Sequence, residues 1–364
     1  MTRASKGAPR AKDVRLAISI GCPSGIGPEV SVVAVDDLAD GAAVLVGDAG
    51  VVARAAALRK TRRPVVSVPT IEDGFAAFAG GALAVFQPSK ALADADVRRG
   101  RPSRRAGAAQ LEWIDAACDF AAEGRADALV TGPVSKEAIA RSGAPGSAIF
   151  LGHTEHLEAR LRAREVVMSF VGERLTTALV TTHLPLADVP RAIDAASVAR
   201  ATYWLARLLA ARALGRAPKL AVASLNPHAG EGGLLGREET RAITPGIRRA
   251  RARLAKEHIT VAIEGPVPAE TAFRRAVAGA YDGVVAMYHD QATIPMKCVA
   301  FGEAVNVSLG LPIVRTSVDH GTGYDIAGRG VADAAGMRAA IALATPLFRA
   351  RVIGEASRGR ARSK

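Results

Sequence analysis

The sequence predicts an α/β fold with two lobes, and three observations support this. From Val14 onward, short apolar runs rich in β-branched residues alternate with longer alanine-rich amphipathic stretches, a pattern typical of strands joined by crossover helices. The chain has 364 residues, more than one compact core of ordinary size usually contains. Hydrophobic residues make up 49% of the chain, which favours a well-packed globule over a disordered polymer.

Strands are predicted where the apolar runs are short, and helices where the amphipathic stretches are longer. The predicted strands cover residues 14–20, 43–46, 128–131, 175–182, 220–225, 259–263, 283–286 and 305–309. The predicted helices cover residues 107–122, 195–213, 332–344 and a stretch that begins at Arg237. Several strands run directly into loops rich in Gly, Pro, His or Asn. Because ligands of parallel sheets bind beyond the carboxyl ends of strands, we expect these loops to converge on one cleft.

The two lobes are expected to be discontinuous in sequence. A first α/β lobe is assigned to residues 14–135 plus 305–350 and contains both ends of the folded chain. A second α/β lobe is assigned to residues 136–304. The basic, Pro-containing loop 98–105 and the Gly-, Ala- and Ser-rich stretch 142–148 suit crossings between lobes.

The two ends of the chain, residues 1–13 and 355–364, are expected to be disordered basic tails. The N-terminal tail lacks the apolar core of a secretory signal, and no apolar run is long enough to span a bilayer. Cys22, Cys118 and Cys298 are the three cysteines, and their spacing matches neither a CxxC motif nor a disulfide framework. We therefore expect a cytoplasmic protein.

The net charge of +13 raises the question of a nucleic-acid partner. The basic residues are scattered along presumed helix faces, and aromatic residues make up only 4% of the chain. No aromatic residue interleaves with a basic run, as a stacking platform for bases requires. A noncatalytic nucleic-acid-binding protein is therefore kept only as a remote alternative.

Histidine placement is the strongest sign of chemistry. His153, His183, His228 and His289 all fall in predicted loops beside Gly, Pro or polar residues. Imidazole is a common ligand of zinc and similar ions, and a catalytic metal site usually has three protein ligands and one open position. The four histidines together predict a divalent metal site, although their spacing does not say which three bind.

Two glycine-rich loops are candidates for ligand contact. Residues 226–233 contain three glycines, which permit a close approach by a ligand, but a surface turn is an equal interpretation. Residues 21–28 follow the first strand, and Pro28 is placed to open a helix. Either the backbone amides of this loop bind an anion, or the loop only turns the chain. Neither loop has the Rossmann glycine pattern, so any nicotinamide cofactor is expected to be held in another way.

A polar trio interrupts the apolar segment 294–316. Lys297, Asn306 and Arg315 carry charge or polarity into this segment, and a buried charge needs a partner that a phosphate or carboxylate would supply. In the alternative interpretation, Lys297 and Arg315 are ordinary surface residues and Asn306 belongs to a turn.

Taken together, these segments resemble the 4-hydroxythreonine-4-phosphate dehydrogenase (PdxA) family from about Leu16 to about Ala344. Eight motifs carry the resemblance in order. They are Gly-Cys-Pro-Ser-Gly-Ile-Gly-Pro-Glu from Gly21, Thr-Gly-Pro-Val-Ser-Lys from Thr131, Gly-His-Thr-Glu from Gly152, Thr-Thr-His-Leu-Pro from Thr181, Asn-Pro-His-Ala-Gly-Glu-Gly-Gly from Asn226, Gly-Pro-Val-Pro-Ala-Glu-Thr from Gly265, Tyr-His-Asp-Gln from Tyr288 and Ser-Val-Asp-His-Gly-Thr from Ser317.

The resemblance implies a site and an assembly. The metal ligands it implies are His183, His228 and His289, with zinc as the first choice and magnesium or cobalt as alternatives. The residues it implies for the phosphorylated substrate are His153, Thr154, Lys297, Asn306 and Arg315. It also implies a homodimer with the active site at the interface, to which the partner chain contributes His289. The metal and interface residues are expected in the second lobe.

The resemblance further implies a fold like that of isocitrate and isopropylmalate dehydrogenases, in which NAD, or NADP, binds without the Rossmann pattern. The implied reaction is oxidation and decarboxylation of 4-phosphooxy-L-threonine to 3-amino-2-oxopropyl phosphate in pyridoxal phosphate biosynthesis. A metal would lower the pKa of the substrate hydroxyl while hydride passes to NAD. Asp290 and Glu270 are the candidates for the base, with orientation of a metal ligand as their alternative role.

Four positions depart from the usual family motifs. Cys22 and Ser24 replace an acidic residue and an alanine, Glu270 replaces an aspartate, and Ser135 stands where His or Asn is common. These departures keep an alternative function open, a paralogous dehydrogenase of 4-phospho-D-erythronate or 4-phospho-D-threonate.

Overall fold

The computed structural model describes residues 14–212, 215–300 and 302–356. Its strands are Arg15–Ser19 (β1), Ala42–Val46 (β2), Val65–Val68 (β3), Leu83–Phe86 (β4), Ala128–Thr131 (β5), Val167–Val171 (β6), Thr176–Leu179 (β7), Lys219–Ala223 (β8), Ala262–Val267 (β9), Gly283–Ala286 (β10), Val305–Leu309 (β11) and Val314–Val318 (β12). Its α-helices are Gly27–Asp36 (α1), Ala49–Arg59 (α2), Ile71–Ala79 (α3), Arg104–Ala122 (α4), Lys136–Ala140 (α5), His153–Leu161 (α6), Val189–Ala192 (α7), Ala195–Ala211 (α8), Thr244–Lys256 (α9), Ala269–Val277 (α10), His289–Val299 (α11) and Ala335–Arg349 (α12).

The strands form one mixed sheet in the order β3-β4-β2-β1-β5-β12-β11-β6-β7-β10-β8-β9. Most neighbours are parallel, but β11 runs antiparallel to both β12 and β6, and β6 runs antiparallel to β7. The parallel strands on the two sides of this centre therefore point in opposite directions. Helices cover the sheet, as expected for parallel strands joined by crossovers, and the α/β class is confirmed.

Alternate residues of the strands pack into different hydrophobic clusters because side chains alternate between the two faces of a sheet. Leu220, Val222 and Val285 belong to the larger cluster, which extends across most of the sheet. Ala221 and Val284 belong to a smaller cluster formed with helices α10 and α11. The second cluster anchors α11, whose first residue is a predicted metal ligand.

All eight predicted strands are present, although the one expected at 259–263 begins later, as β9. The four predicted helices are also present, and the stretch after Arg237 begins with a π-helical turn, Glu239–Ile243, before α9. Four strands were not predicted: β3, β4, β6 and β12. Position 213, the expected end of α8, lies outside the described residues.

The expected lobes correspond to neighbouring parts of the sheet. Segments 14–135 and 305–350 contribute strands β1 to β5 with β11 and β12, whereas 136–304 contributes β6 to β10. The boundary between them is the hydrogen-bonded pair β11 and β6, so the division into lobes stays a prediction.

The expected tails fall mainly outside the described residues, which exclude 1–13 and 357–364. The first two residues of the expected C-terminal tail do make contacts. The Arg164 side chain pairs with Glu355 at 2.7 Å, and Ala356 forms a β-bridge with Ala163. Among the described helices, none combines the length and apolarity that a bilayer crossing needs.

Candidate active site

A cavity of about 310 Å³ opens over the antiparallel centre of the sheet. Six of the residues predicted for the site line it: His153, Thr154, His183, His289, Asn306 and Arg315. They come from helix α6, strands β11 and β12, the loop after β7 and the start of α11. Of the loops expected to converge, those after β5, β7 and β10 reach the cavity, through Lys136, His183 and His289, whereas loops 21–28 and 226–233 do not line it.

Strand register explains the floor of the cavity. Asn306 of β11 lies opposite Ser317 of β12 and Phe170 of β6, and Ser317 also lies beside Thr131 of β5. Because alternate residues of a strand share one face, Arg315 and Ser317 point to the same side of β12. The centre of the sheet thus presents a polar row to the cavity.

Arg315 is a buried cation at this floor. Its residue surface is only 2% exposed, and it donates hydrogen bonds through Nη1 to Ser308 Oγ at 3.0 Å and through Nη2 to Thr131 Oγ1 at 2.7 Å. Its Nε is buried and has no hydrogen-bond partner among the described residues. Burial lowers the pKa of Arg315 to about 9, and the Glu155 carboxylate offsets only part of this effect. An anionic ligand would supply the missing countercharge.

Two further polar atoms beside Arg315 lack partners. His153 Nε2 and Asn306 Oδ1 are buried, and neither has a hydrogen-bond partner among the residues that the structure describes. Burial holds the pKa of His153 well below its usual value, and the positive charges of Arg315 and of its other neighbours, His156 and Lys136, add to this effect. The imidazole is therefore neutral and offers a ligand one donor or acceptor.

The histidine pair lies at another wall of the cavity. The ring centroids of His183 and His289 are 5.5 Å apart. His183 Nδ1 is 3.3 Å from Glu155 Oε1, and His289 Nδ1 is 2.8 Å from Asp290 Oδ1. If each Nδ1–H donates to its carboxylate, each Nε2 keeps a free lone pair, which is the arrangement that orients histidine ligands of metals. The pair fits a metal site in donor chemistry and in spacing.

His228, the third predicted ligand, does not line this cavity. It lies on an exposed stretch in which residues 228 to 233 all have positive φ, a conformation that costs energy at His228, Ala229 and Glu231. Glu239 holds the base of the loop by accepting hydrogen bonds from three donors of Leu225 and Asn226. Within the described part of a single chain, no three potential ligands cluster closely enough to hold a metal.

Three other predicted residues lie away from the cavity wall. Lys297 is exposed on α11 and does not line the cavity. Glu270 is 72% exposed on α10, where it pairs with Arg274 at 2.8 Å. Asp290 is 69% exposed and is engaged with His289. The interpretation of Glu270 and Asp290 as candidates for a base therefore finds no support in their positions, whereas orientation of a metal ligand suits Asp290.

The cavity contains charged residues to which sequence reasoning gave no role: Lys136, Glu155, Asp319 and His320. Each lies in a motif that follows a strand or opens a helix. Lys136 begins α5, which Ser135 caps by accepting a hydrogen bond from the Ala138 amide at 3.2 Å. For Lys136, Asp319 and His320, the position shortly after a buried strand is the signal that could have found them.

A second cavity of about 320 Å³ adjoins the loop after β1. Ser24, Arg54 and Arg99 are among its lining residues, and Ser24 Oγ is buried with no partner among the described residues. The same loop also contacts residues of the first cavity, because the Cys22 amide donates to Pro133 O at 2.8 Å. The loop thus lies between the two cavities.

Gly21 permits this close packing. Its φ is +77°, and a side chain there would place Cβ 2.4 Å from Pro133 O. A larger residue would force the loops after β1 and β5 apart. Residues 21–28 are all buried. Both interpretations of this loop, an anion site and a turn of the chain, stay predictions.

Comparison with known proteins follows the same segments. The family described as pyridoxal phosphate biosynthetic protein PdxA matches residues 40–344. A 4-hydroxythreonine-4-phosphate dehydrogenase of Desulfosudis oleivorans is 41% identical over 90% of this chain and 94% of its own length. The same enzyme of Geobacter metallireducens is 42% identical over 93% of this chain and 97% of its own length.

Among solved structures, the 4-hydroxythreonine-4-phosphate dehydrogenase from Klebsiella pneumoniae superposes with a TM-score of 0.75 at 33% identity. That alignment covers 93% of this chain and 99% of the other. The similarity therefore extends over both expected lobes. The chain belongs to the PdxA family of pyridoxal phosphate biosynthetic proteins.

Proposed function

We propose that the chain is an NAD-dependent, metal-dependent dehydrogenase that oxidises and decarboxylates 4-phosphooxy-L-threonine to 3-amino-2-oxopropyl phosphate in pyridoxal phosphate biosynthesis. The dehydrogenase names of its relatives support an oxidoreductase that uses a nucleotide cofactor and a small phosphorylated substrate. One observation carries the proposal for this chain. A single cavity contains both a buried guanidinium that forms no ion pair with any described residue and a pair of histidines in contact with carboxylates.

The phosphate is assigned to the floor of the cavity. Arg315 supplies the positive charge, and His153, Thr154 and Asn306 supply neutral polar contacts beside it. Thr154 Oγ1 already lies 3.1 Å from Ser308 Oγ, so one hydroxyl of that pair retains hydrogen-bonding capacity for a ligand. The volume of about 310 Å³ suits a small molecule of this kind. Lys297 does not line this cavity, so helix α11 would have to shift for its side chain to reach the phosphate.

The reacting hydroxyl is assigned to the histidine pair. His183 and His289 would hold a divalent ion, zinc in the first place and magnesium or cobalt as alternatives, and Glu155 and Asp290 would keep both rings in the ligating tautomer. When bound, the ion would lower the pKa of the substrate hydroxyl and stabilise the negative charge that follows loss of carbon dioxide. His153 and Arg315 would meanwhile fix the substrate at its other end.

A homodimer would complete the site. Leu184 and Leu186 after His183, Leu234 in the loop of His228, and Ile294 on the helix of His289 are all exposed. Exposed apolar residues that surround a site suggest that another surface covers it. Since the rings of His183 and His289 already lie 5.5 Å apart in one chain, we assign the third ligand to His228 of the partner subunit, whereas the family resemblance implied His289 in that role.

The nicotinamide cofactor is assigned to the second cavity. This cavity adjoins the first across the loop after β1, has room for part of a dinucleotide, and lacks the Rossmann glycine pattern. NAD is proposed as the cofactor. Arg54 and Arg99 at its wall keep NADP as the alternative, because an arginine can pair with the additional 2′-phosphate.

The paralogous function, oxidation of 4-phospho-D-erythronate or 4-phospho-D-threonate, loses part of its support. It depended on four departures from the family motifs, at Cys22, Ser24, Ser135 and Glu270, and none of the four lines the first cavity. Cys22 is buried behind Pro133, and burial raises the pKa of its thiol, so it adds no charge to the site. A noncatalytic nucleic-acid-binding role would leave this polar cavity without a purpose.

The test is NADH formation by the purified, zinc-loaded protein with each of the three phosphorylated substrates, with and without a chelator. Chelator-sensitive turnover that prefers 4-phosphooxy-L-threonine is expected. Preference for a sugar acid would favour the paralogous function, and no turnover on any of the three, at saturating NAD or NADP, would overturn the proposal.

A further inference from the structure

The proposed reaction needs a base for the substrate hydroxyl, and neither sequence candidate is placed to act as one. Glu270 does not line the first cavity, and Asp290 is engaged with His289 and mostly exposed. Two carboxylates do line the cavity, Glu155 and Asp319. Glu155 is the hydrogen-bond partner of His183, which leaves Asp319.

Asp319 directly follows β12, where the strand ends at the wall of the cavity. Arg315 and Ser317 share one face of β12 and line the cavity, and the consecutive residues 318–321 line it as well. Asp319 therefore lies toward the carboxyl end of the same strand that carries the proposed phosphate-binding arginine. A small substrate held at Arg315 extends along this face toward Asp319 and the histidine pair.

The Asp319 carboxylate has no hydrogen-bond or ion-pair partner among the described residues. It is half-buried, and burial raises its pKa above the usual value. The charges of Lys297, His320 and His289 lower the pKa of Asp319, but they do not cancel the effect of burial. An unpartnered carboxylate on the wall of the cavity is free to accept a proton from a bound substrate.

We propose that Asp319 is the catalytic base of the reaction, an inference that rests on the proposed function. The hydroxyl O–H bond breaks and its proton passes to the Asp319 carboxylate. The adjacent C–H bond breaks at the same time, its electron pair passes as hydride to the nicotinamide ring, and a ketone forms. The bond to the substrate carboxylate then breaks, carbon dioxide leaves, and the proton returns from Asp319 to the carbon that keeps the electron pair.

The experiment compares Asp319→Asn with the matched control Asp40→Asn in the zinc-loaded dimer. Asp40 is an exposed aspartate with only a distant ion pair, to Arg349 at 3.9 Å, and it lines neither cavity. We expect D319N to lower kcat by about 100-fold or more, with KM and zinc affinity nearly unchanged, and D40N to behave like the wild type. With substrate deuterated at the carbinol carbon, the isotope effect on kcat should increase in D319N.

A second variant guards against loss of activity through misfolding. Asp319→Ala leaves space for a small carboxylate, so added formate should restore part of kcat to D319A but not to D319N. A D319N variant with kcat within threefold of the wild type would overturn the proposal. So would a loss carried entirely by KM, or a D319A variant that formate does not restore. If the wild type itself does not turn over 4-phosphooxy-L-threonine, the proposed function has failed instead.

Discussion

The imidazole rings of His183 and His289 lie 5.5 Å apart because the strands that precede them are neighbours. β7 and β10 are adjacent and parallel, so the loops after them leave the same edge of the sheet. Each ring then contacts a carboxylate through Nδ1, Glu155 in one case and Asp290 in the other. Backbone topology brings the rings together. If each Nδ1–H donates to its carboxylate, each Nε2 keeps the lone pair that the proposed metal would need.

The carboxylate contacts predict a graded loss of metal affinity. Asp290→Asn and Glu155→Gln should each weaken zinc binding by about 10- to 100-fold, because an amide no longer fixes the ring or raises its basicity as a carboxylate does. His289→Ala should weaken it further, since it removes a ligand. Competition with a chromophoric chelator measures all three affinities.

His258→Asn provides a control for these metal titrations. His258 is an exposed histidine with positive φ, a conformation that Asn tolerates well. The His258→Asn variant should bind zinc with the affinity of the wild type. If D290N and E155Q also bound zinc like the wild type, the carboxylates would have no role in holding the rings.

Arg315→Met should separate ligand binding from stability. The variant loses the buried positive charge that we propose to bind the substrate phosphate. An interaction of this kind contributes about 2–3 kcal/mol to binding, so substrate affinity should fall by about 100-fold. The thermal midpoint of the ligand-free protein should change little, because an uncompensated buried charge is removed together with its two hydrogen bonds. Calorimetric titration and thermal unfolding measure the two effects.

Arg315→Lys is the companion variant, because it keeps the charge but loses the planar fork. It should recover only part of the affinity. A large fall in the midpoint of R315M with unchanged substrate affinity would mean that Arg315 is a structural residue and that the phosphate binds elsewhere.

Burial of neutral His153 predicts a pH dependence of stability. The pKa of His153 is lowered from 6.5 in the folded chain, so the unfolded chain takes up a proton first as the pH falls. The contribution of His153 is therefore lost below about pH 6.5, at about 1.4 kcal/mol per pH unit until the lowered folded pKa is reached. Metal-free wild type should lose more stability between about pH 7 and about pH 5 than His153→Gln, as measured by urea unfolding. Parallel curves for the two proteins would contradict the buried neutral state.

The strands and site residues that sequence could predict share one property, which is local pattern. β5 and β10 were predicted correctly because each is a short and mostly apolar run, and β11 because its apolar residues alternate with Asn306 and Ser308. β12 was missed because Arg315, Thr316 and Ser317 are polar although the strand is buried. Their burial depends on pairing with β5 and β11, which are distant in sequence.

In the candidate site, too, the features that depend on contacts in the folded chain could not be predicted. The histidines were found from their loops, but the separation of His228 from the other two depends on a left-handed run of backbone that no spacing reveals. Asp319 was overlooked because its importance comes from lacking a partner, and a partner is a property of the folded chain. Glu270 was overvalued because its pairing with Arg274 one helical turn away was not considered.

Mixing inactive subunits tests how the metal ligands are divided between two chains. In the proposed arrangement, His183 and His289 come from one chain and His228 from the partner subunit. A heterodimer of His183→Ala and His228→Ala subunits then has one damaged site and one intact site. Random reassociation should restore roughly a quarter of wild-type activity from two inactive proteins, because half of the dimers are mixed and each has one working site.

A second mixture, of His183→Ala and His289→Ala subunits, provides the control. His183→Ala mixed with His289→Ala should stay inactive, since both ligands are needed from the same chain and every site lacks one of them. The division implied by resemblance, with His289 supplied by the partner, predicts the reverse: the mixture with H289A would regain activity and the mixture with H228A would not. Activity in neither mixture, with exchange of subunits verified by mass spectrometry, would mean that all three histidines act within one chain, and the loop of His228 would then have to move toward the cavity.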